Sequence, residues 1–357
     1  MGYPFRNLVF EGGGVKGIAY VGAMEVLEEK GILPNIARVG GTSAGGIYAV
    51  LFGLNYSNEQ IKQILSALNF NNFLDDSWGI IRDFQRLLRE FGWYQGDFFR
   101  KWISEGIGSR TGNRESTFKD IYDQKEKKGF RDIYLMGTNL STRFGEVFSY
   151  EHTPQMPVAE AVRISMSIPL FFAAKRSPRG DVYVDGGVLD NYPIKLFDRE
   201  KYIETQVLEV HSREPDYYED HNRDLKQMGK EISPYLYNKE TLGFRLDSQR
   251  EIAVFRDQAE PPREKIDDFF SYAWGLIDTI MEGQANQHLH CDDWHRTIYI
   301  NTLGVKTTEF NLDEGKKAAL IESGRAHTGK YFDWYDNPQE SPVNRVEKGG
   351  ANCDKKV

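Results

Sequence analysis

Short apolar runs that end in glycine alternate with longer stretches of helical spacing through the first fifty residues. Leu8-Val9-Phe10 reads as a buried strand, and the glycine-rich stretch after it leads into an amphipathic segment that extends to Gly31. Ile36 to Val39 is a second strand-like run, and beyond a Gly/Ser turn Ile47, Val50, Leu51 and Leu54 recur at helical spacing. Strand, loop, helix, strand, turn and helix make a βαβα opening, which predicts an α/β fold with a largely parallel sheet flanked by helices.

Further along, residues 70–128 read as a helical, aromatic-rich insertion. Trp78, Ile81, Phe84, Leu88 and Phe91 share one helical face, and Phe98, Phe99, Trp102 and Ile103 share another. Such stripes are usually core; the alternative is a lid whose aromatic face meets acyl chains. Val182-Tyr183-Val184 alternates like a strand and ends in Asp185. Past residue 200 the run TQVLEVHS looks strand-like, Phe269 to Met281 helical, RTIYINTLG a strand and Glu314 to Ser323 a helix. These elements are expected to pack on the same domain as residues 5–200, as an extension over 201–336. The polar stretch 337–357 is expected to be disordered. No internal repeat is visible.

Two glycine-rich turns carry the candidate chemistry. Gly12, Gly14 and Gly17 satisfy the G-x-G-x-x-G spacing of a dinucleotide loop, but the ribose-binding acid expected about 20 positions later is missing from Pro34 to Arg38. A phosphate loop of the Walker type also fails, because Lys16 is followed by Gly17. The second turn, Gly41-Thr42-Ser43-Ala44-Gly45, is a G-x-S-x-G pentapeptide between a strand and a helix, the setting of a nucleophile elbow. Consecutive glycine amides at a helix start then become candidate donors to an oxyanion: Gly12, Gly13 and Gly14, with Lys16 adding charge. A base for Ser43 is less obvious. Of seven histidines only His152 precedes Asp185, the best acidic candidate, and Asp185-Gly186 is equally a plain hairpin signal.

These residues resemble the patatin-like phospholipases, a family of serine acyl hydrolases. The resemblance spans residues 5–200 in four blocks: Gly12 to Gly17, Gly41 to Gly45, the segment AVRISMSIPLFF (161–172), and Asp185-Gly186-Gly187 with Asn191 and Pro193. It implies a three-layer α/β/α fold and a Ser43–Asp185 dyad that uses no histidine. It also implies an oxyanion hole at the glycine loop, and a site lined by Gly17, Thr42 and Ala44 on one side. Ser165, Ser167, Pro169, Gly186 and Gly187 would line the other. A carboxylate of ordinary pKa is a weak base for a hydroxyl, so the chemistry asks for a water-poor pocket around Asp185. Lys16 stands where arginine is frequent and Ile164 where a small residue is usual; both bear on substrate fit. The implied substrates are phospholipid or lysophospholipid acyl chains. A transacylase using the same acyl-enzyme and a catalytically silent lipid-binding protein are the alternatives.

Composition narrows the partners. The 45 Lys and Arg against 53 Asp and Glu give a formal charge of −8, which argues against nucleic acid and against electrostatic capture by anionic membranes. Contact with a membrane surface would then be transient and largely apolar. No secretory signal or membrane-spanning run is visible, and Cys291 and Cys353 make no disulfide framework. A cytoplasmic location is expected, peripheral at a membrane, with export by a dedicated secretion machine still open. No cofactor is implied. His288, His290 and His295 cluster with Cys291, Asp292 and Asp293 but lack a second separated ligand pair, so no metal is expected.

Overall fold

A computed structural model describes residues 2–68, 87, 89–228, 232–247, 263, 265–267, 269–287, 291–307, 309–337, 339–340 and 343–345. Its centre is a sheet of order β12-β11-β1-β2-β4-β8-β7, with β5 on the free side of β4. The strands are β1 (Asn7–Phe10), β2 (Arg38–Gly41), β4 (Asp132–Asn139), β5 (Phe144–Phe148), β7 (Lys175–Arg176), β8 (Val182–Asp185), β11 (Thr241–Asp247) and β12 (Thr297–Asn301). β12, β11, β1, β2 and β4 run parallel; β5 and β8 pair with β4 antiparallel. Short pairs β3 (Gly92–Tyr94) with β6 (Leu170–Phe172) and β9 (Ser212–Arg213) with β10 (Tyr237–Asn238) lie off this sheet.

The expected opening is present. β1 is buried along its length, as a strand covered on both faces must be. α1 (Ala19–Glu29) follows the glycine loop and α2 (Ser43–Gly53) follows β2. Every residue of α2 is buried, so it is the central helix beneath which the sheet packs. The Glu314–Tyr335 helix lies along α1 at glycine distance: a methyl at Gly22 would strike Ile321 O, and one at Gly324 would strike Ala19 O.

Several expectations change. TQVLEVHS is not a strand: Thr205–Val207 is a 3₁₀ turn, Leu208–His211 a helical turn, and only Ser212–Arg213 pairs. The sheet position that such a run could fill is taken by β11, whose seven residues are all buried. The last helix runs on from Ser323 to Tyr335. Within 70–128, Trp78, Ile81, Phe84 and Leu88 lie outside the described residues, and Phe91 is exposed. On the second aromatic face Phe99 and Ile103 are buried core, with Trp102 packed against it, while Phe98 is exposed. Most of 337–357 lies outside the described residues, but Val343 and Asn344 are buried and Asn344 Nδ2 donates to Tyr331 Oη at 3.2 Å, so the tail is anchored at least there.

Candidate active site

The topology brings Ser43 and Asp185 together. β2 pairs with β4 through Gly41↔Leu135, and β8 pairs with it through Asp185↔Gly137. β5 occupies the other side of β4 over the same residues, so β2 and β8 share one edge and meet head on. The carboxyl end of β8 therefore arrives beside the turn that follows β2.

At that turn Ser43 has φ 53°, a left-handed backbone rare for a residue with a side chain. Tight packing sustains it. A methyl at Gly41 would come within 2.5 Å of the Gly45 carbonyl carbon, and one at Gly45 would meet the Phe10 and Glu11 carbonyls. Thr42 Oγ1 donates to Asp190 O at 2.9 Å, tying the elbow to the segment after Asp185. The Ser43 amide donates to Ser165 Oγ at 2.9 Å, and the Asp185 amide donates to Ser167 O at 2.8 Å. Ser165 and Ser167 thus anchor two backbones, and buried Arg163 holds Ser167 in turn at 2.6 Å. Pro169 is half-buried just beyond, Ala44 buried with Gly17 packed on it, and Gly186 presses on Met136.

Ser43 is 1% exposed and Asp185 wholly buried. Ser43 Oγ donates to Met166 Sδ at 3.4 Å. Asp185 Oδ1 accepts the Gly187 amide at 2.8 Å, and Oδ2 accepts from no described protein group. Burial raises the Asp185 carboxyl to about 7, against the opposing pull of the Gly187 amide and the nearby Ser43 hydroxyl.

The glycine loop divides its labour. The Gly12 amide donates to Asn191 O at 3.0 Å, so it is committed to structure and not free to meet an oxyanion, contrary to expectation. The Gly13 and Gly14 amides meet no acceptor among the described residues. Gly14 has φ 55°, and a methyl on it would strike Thr307 O. Lys16 is half-buried, and its charge acts on Glu11, the last residue before the glycines.

Glu11 belongs to a buried group that sequence reasoning missed. Its Oε2 accepts the Leu246 amide at 2.6 Å; Arg245 Nε lies 3.9 Å from Oε1 and donates to Asp247 Oδ1 at 3.0 Å. Burial raises Glu11 to about 8, with Arg245 pulling it down and Asp247 pushing it up. A charged residue closing an apolar strand, and two more inside TLGFRLD, were the available signals.

The described members of the histidine cluster are engaged elsewhere. His288 and His290 lie outside the described residues, Asp293 pairs with Arg296 at 2.6 Å and Asp292 with Arg213, and His295 stacks on Trp334. Among the described residues no group could hold a metal ion, and no helix is long and apolar enough to cross a membrane.

Comparison with known proteins adds four findings. The patatin-like phospholipase family model matches residues 8–198. An uncharacterized protein of Bacillus subtilis (strain 168), YqhO, is 29% identical over 330 residues, covering 90% of this chain and 95% of its own. A lysophospholipase of Candida glabrata is 26% identical over 188 residues, 53% of this chain but 9% of that protein. Among solved structures, VipD from Legionella pneumophila superposes with a TM-score of 0.55 at 18% identity, over 92% of this chain and 67% of that one, a likeness of fold.

Proposed function

The chain belongs to the patatin-like phospholipase family and is a lipid ester hydrolase; from that premise we propose that Ser43 and Asp185 form its catalytic dyad. Ser43 Oγ attacks the acyl carbonyl of a phospholipid or lysophospholipid while Asp185 takes its proton. The Gly13 and Gly14 amides meet the developing oxyanion, at the positive end of a helical segment. Collapse expels the alcohol, which carries away the proton from Asp185, and water then releases the fatty acid from Ser43.

The observation that carries this reading is the buried carboxyl of Asp185, raised to about 7 beside a serine whose backbone is held at φ 53°. A base works best when its pKa lies near the working pH, and a carboxylate of ordinary pKa would not. With Ser43 only 1% exposed, the substrate must displace its cover, which supports acyl chains entering from a transient, peripheral contact with a lipid surface.

The test is fatty acid release from a panel of phospholipids and lysophospholipids. Ser43→Ala and Asp185→Asn should each lower it by about 10³-fold or more. Wild-type kcat/KM should rise with pH and level off above about 7, where Asp185 is ionised. Release that survives loss of Ser43 sinks the reading.

A further inference from the structure

Asn191 follows the short helix Gly187–Asp190 and is 7% exposed. Its Nδ2 donates to Gly12 O at 3.2 Å and towards Glu11 Oε1 at 3.5 Å. With both acceptors on one side the orientation of the amide is fixed, and Oδ1 must face the other way.

There Oδ1 is buried and accepts from no described protein group. Its position can be triangulated. A methyl built on Gly187 would come within 2.7 Å of Asn191 Oδ1 and 3.2 Å of Asp185 Oδ1. One built on Gly12 would collide with the same Asn191 oxygen and lie 3.1 Å from Ser43 Cβ. Asn191 Oδ1 therefore sits among the nucleophile, the glycine loop and the aspartate turn, beside a carboxylate whose Oδ2 is also without a partner.

A buried carbonyl oxygen without a donor costs about 1–3 kcal/mol, so an oxygen that no described protein group reaches at a reacting centre points to a water as its donor. Resting on the acyl-enzyme reading above, we propose that Asn191 is the water-positioning residue of deacylation, its Oδ1 accepting a hydrogen bond from the water that hydrolyses the acyl-enzyme. Once Ser43 is acylated it has no hydrogen to donate, and the water brings two. One goes to Asp185 as the water oxygen bonds to the acyl carbon, and Asn191 Oδ1 holds the other and so aims the lone pair. The tetrahedral intermediate then breaks its bond to Ser43 Oγ, which recovers the proton from Asp185, and the fatty acid leaves.

The experiment is stopped-flow hydrolysis of 4-nitrophenyl hexanoate by the full chain, with intact-mass measurement of the Ser43 adduct. Asn191→Ala should slow the steady state by about 10- to 100-fold more than it slows the first-turnover burst, and accumulate hexanoyl-Ser43. Asn191→Ser, which keeps a small polar group, should recover part of the steady-state rate, and serves if the alanine variant does not fold. Burst and steady state falling by one common factor would mean that Asn191 only holds the glycine loop, and would overturn the proposal while leaving the dyad intact. Nitrophenol release that persists in Ser43→Ala overturns the dyad and this proposal together.

Discussion

The two halves of the central sheet present the same glycine loop with different kinds of support. On the side of β2, contacts come from small groups: Thr42, Ser43 Cβ, the closely packed glycines of the elbow, and Asn191, which bonds Gly12 through its carbonyl and its side-chain amide. On the side of β11, they come from more than 230 residues away and are bulky or charged. Leu246 would be 2.6 Å from a methyl on Gly13, Thr307 O accepts the Val15 amide at 3.3 Å, and Glu11 leans on Arg245 and Asp247. The extension is thus half the floor of the site. A family match that stops at residue 198 spans the groups proposed to react and leaves out part of what holds them.

The largest test of this contrast is Arg245→Met. Glu11, Arg245 and Asp247 are all at most 6% exposed, so removal of the cation leaves two carboxylates buried together. Breaking a buried charge group of this kind costs about 3–5 kcal/mol. The variant should lose that much in urea unfolding at pH 8 and recover part of it towards pH 5, where the carboxylates are protonated more readily. Fatty acid release should fall as well, because the Glu11 segment carries the glycine loop. A variant that melts and acts like wild type would show the halves to be independent.

The contrast also explains what could be read in the sequence. β1, β2 and the elbow are local: an apolar run, a turn of small residues and a helical repeat lie within fifty positions. Asp185 was visible as an acid closing an alternating strand. β11 was not: Leu242, Phe244 and Leu246 alternate with Gly243, Arg245 and Asp247, a pattern that reads as a strand with one face in water, whereas here the charged face is buried, with Arg245 between Asp247 and Glu11, 234 positions before it. TQVLEVHS had the β-prone residues, but it turns through a 3₁₀ and a helical turn instead. The last helix continues past Ser323 through Gly324, which in the fold is the close approach to Ala19. Ser165 and Ser167 were legible as neighbours of the site, but their work as backbone anchors appears only once β2 and β8 share an edge.

Asp185 sharpens the comparison further, since Glu11 has a cation from the extension and among the described residues no cation acts on Asp185. Its carboxyl is raised from 3.8 to about 7, so the folded state binds this proton more tightly than the unfolded chain. The stabilisation is therefore complete below about pH 4 and lost as pH rises through about 7. Asp185→Asn carries no such loss. The variant should be more stable than wild type at pH 8.5, by at most roughly 4 kcal/mol, with the gap shrinking towards pH 5. Urea midpoints at the two pH values measure it, and a gap that does not change with pH would mean that burying this charge costs the fold nothing.

The smallest effects ask whether the two halves unfold as one. α3 (Asn58–Ser66), in the N-terminal half, begins with a capping box: Ser57 Oγ accepts the Gln60 amide at 3.2 Å, and Gln60 Oε1 accepts the Ser57 amide at 3.1 Å. The Glu314–Tyr335 helix of the extension begins with Asp313, whose Oδ1 accepts the Lys316 amide at 2.8 Å. Ser57→Ala and Asp313→Ala should each cost about 0.5–2 kcal/mol, the Asp313 cap gaining from its charge at the helix N-terminus. If the shared sheet makes the chain a single cooperative unit, both substitutions move one common melting transition, each by a few degrees at most. Calorimetry resolves the alternative, in which Ser57→Ala shifts one transition and Asp313→Ala another. That outcome would make the extension a separately folding partner of the site rather than half of its floor. One transition moved by both caps would tie the glycine loop's stability to residues on either side of it.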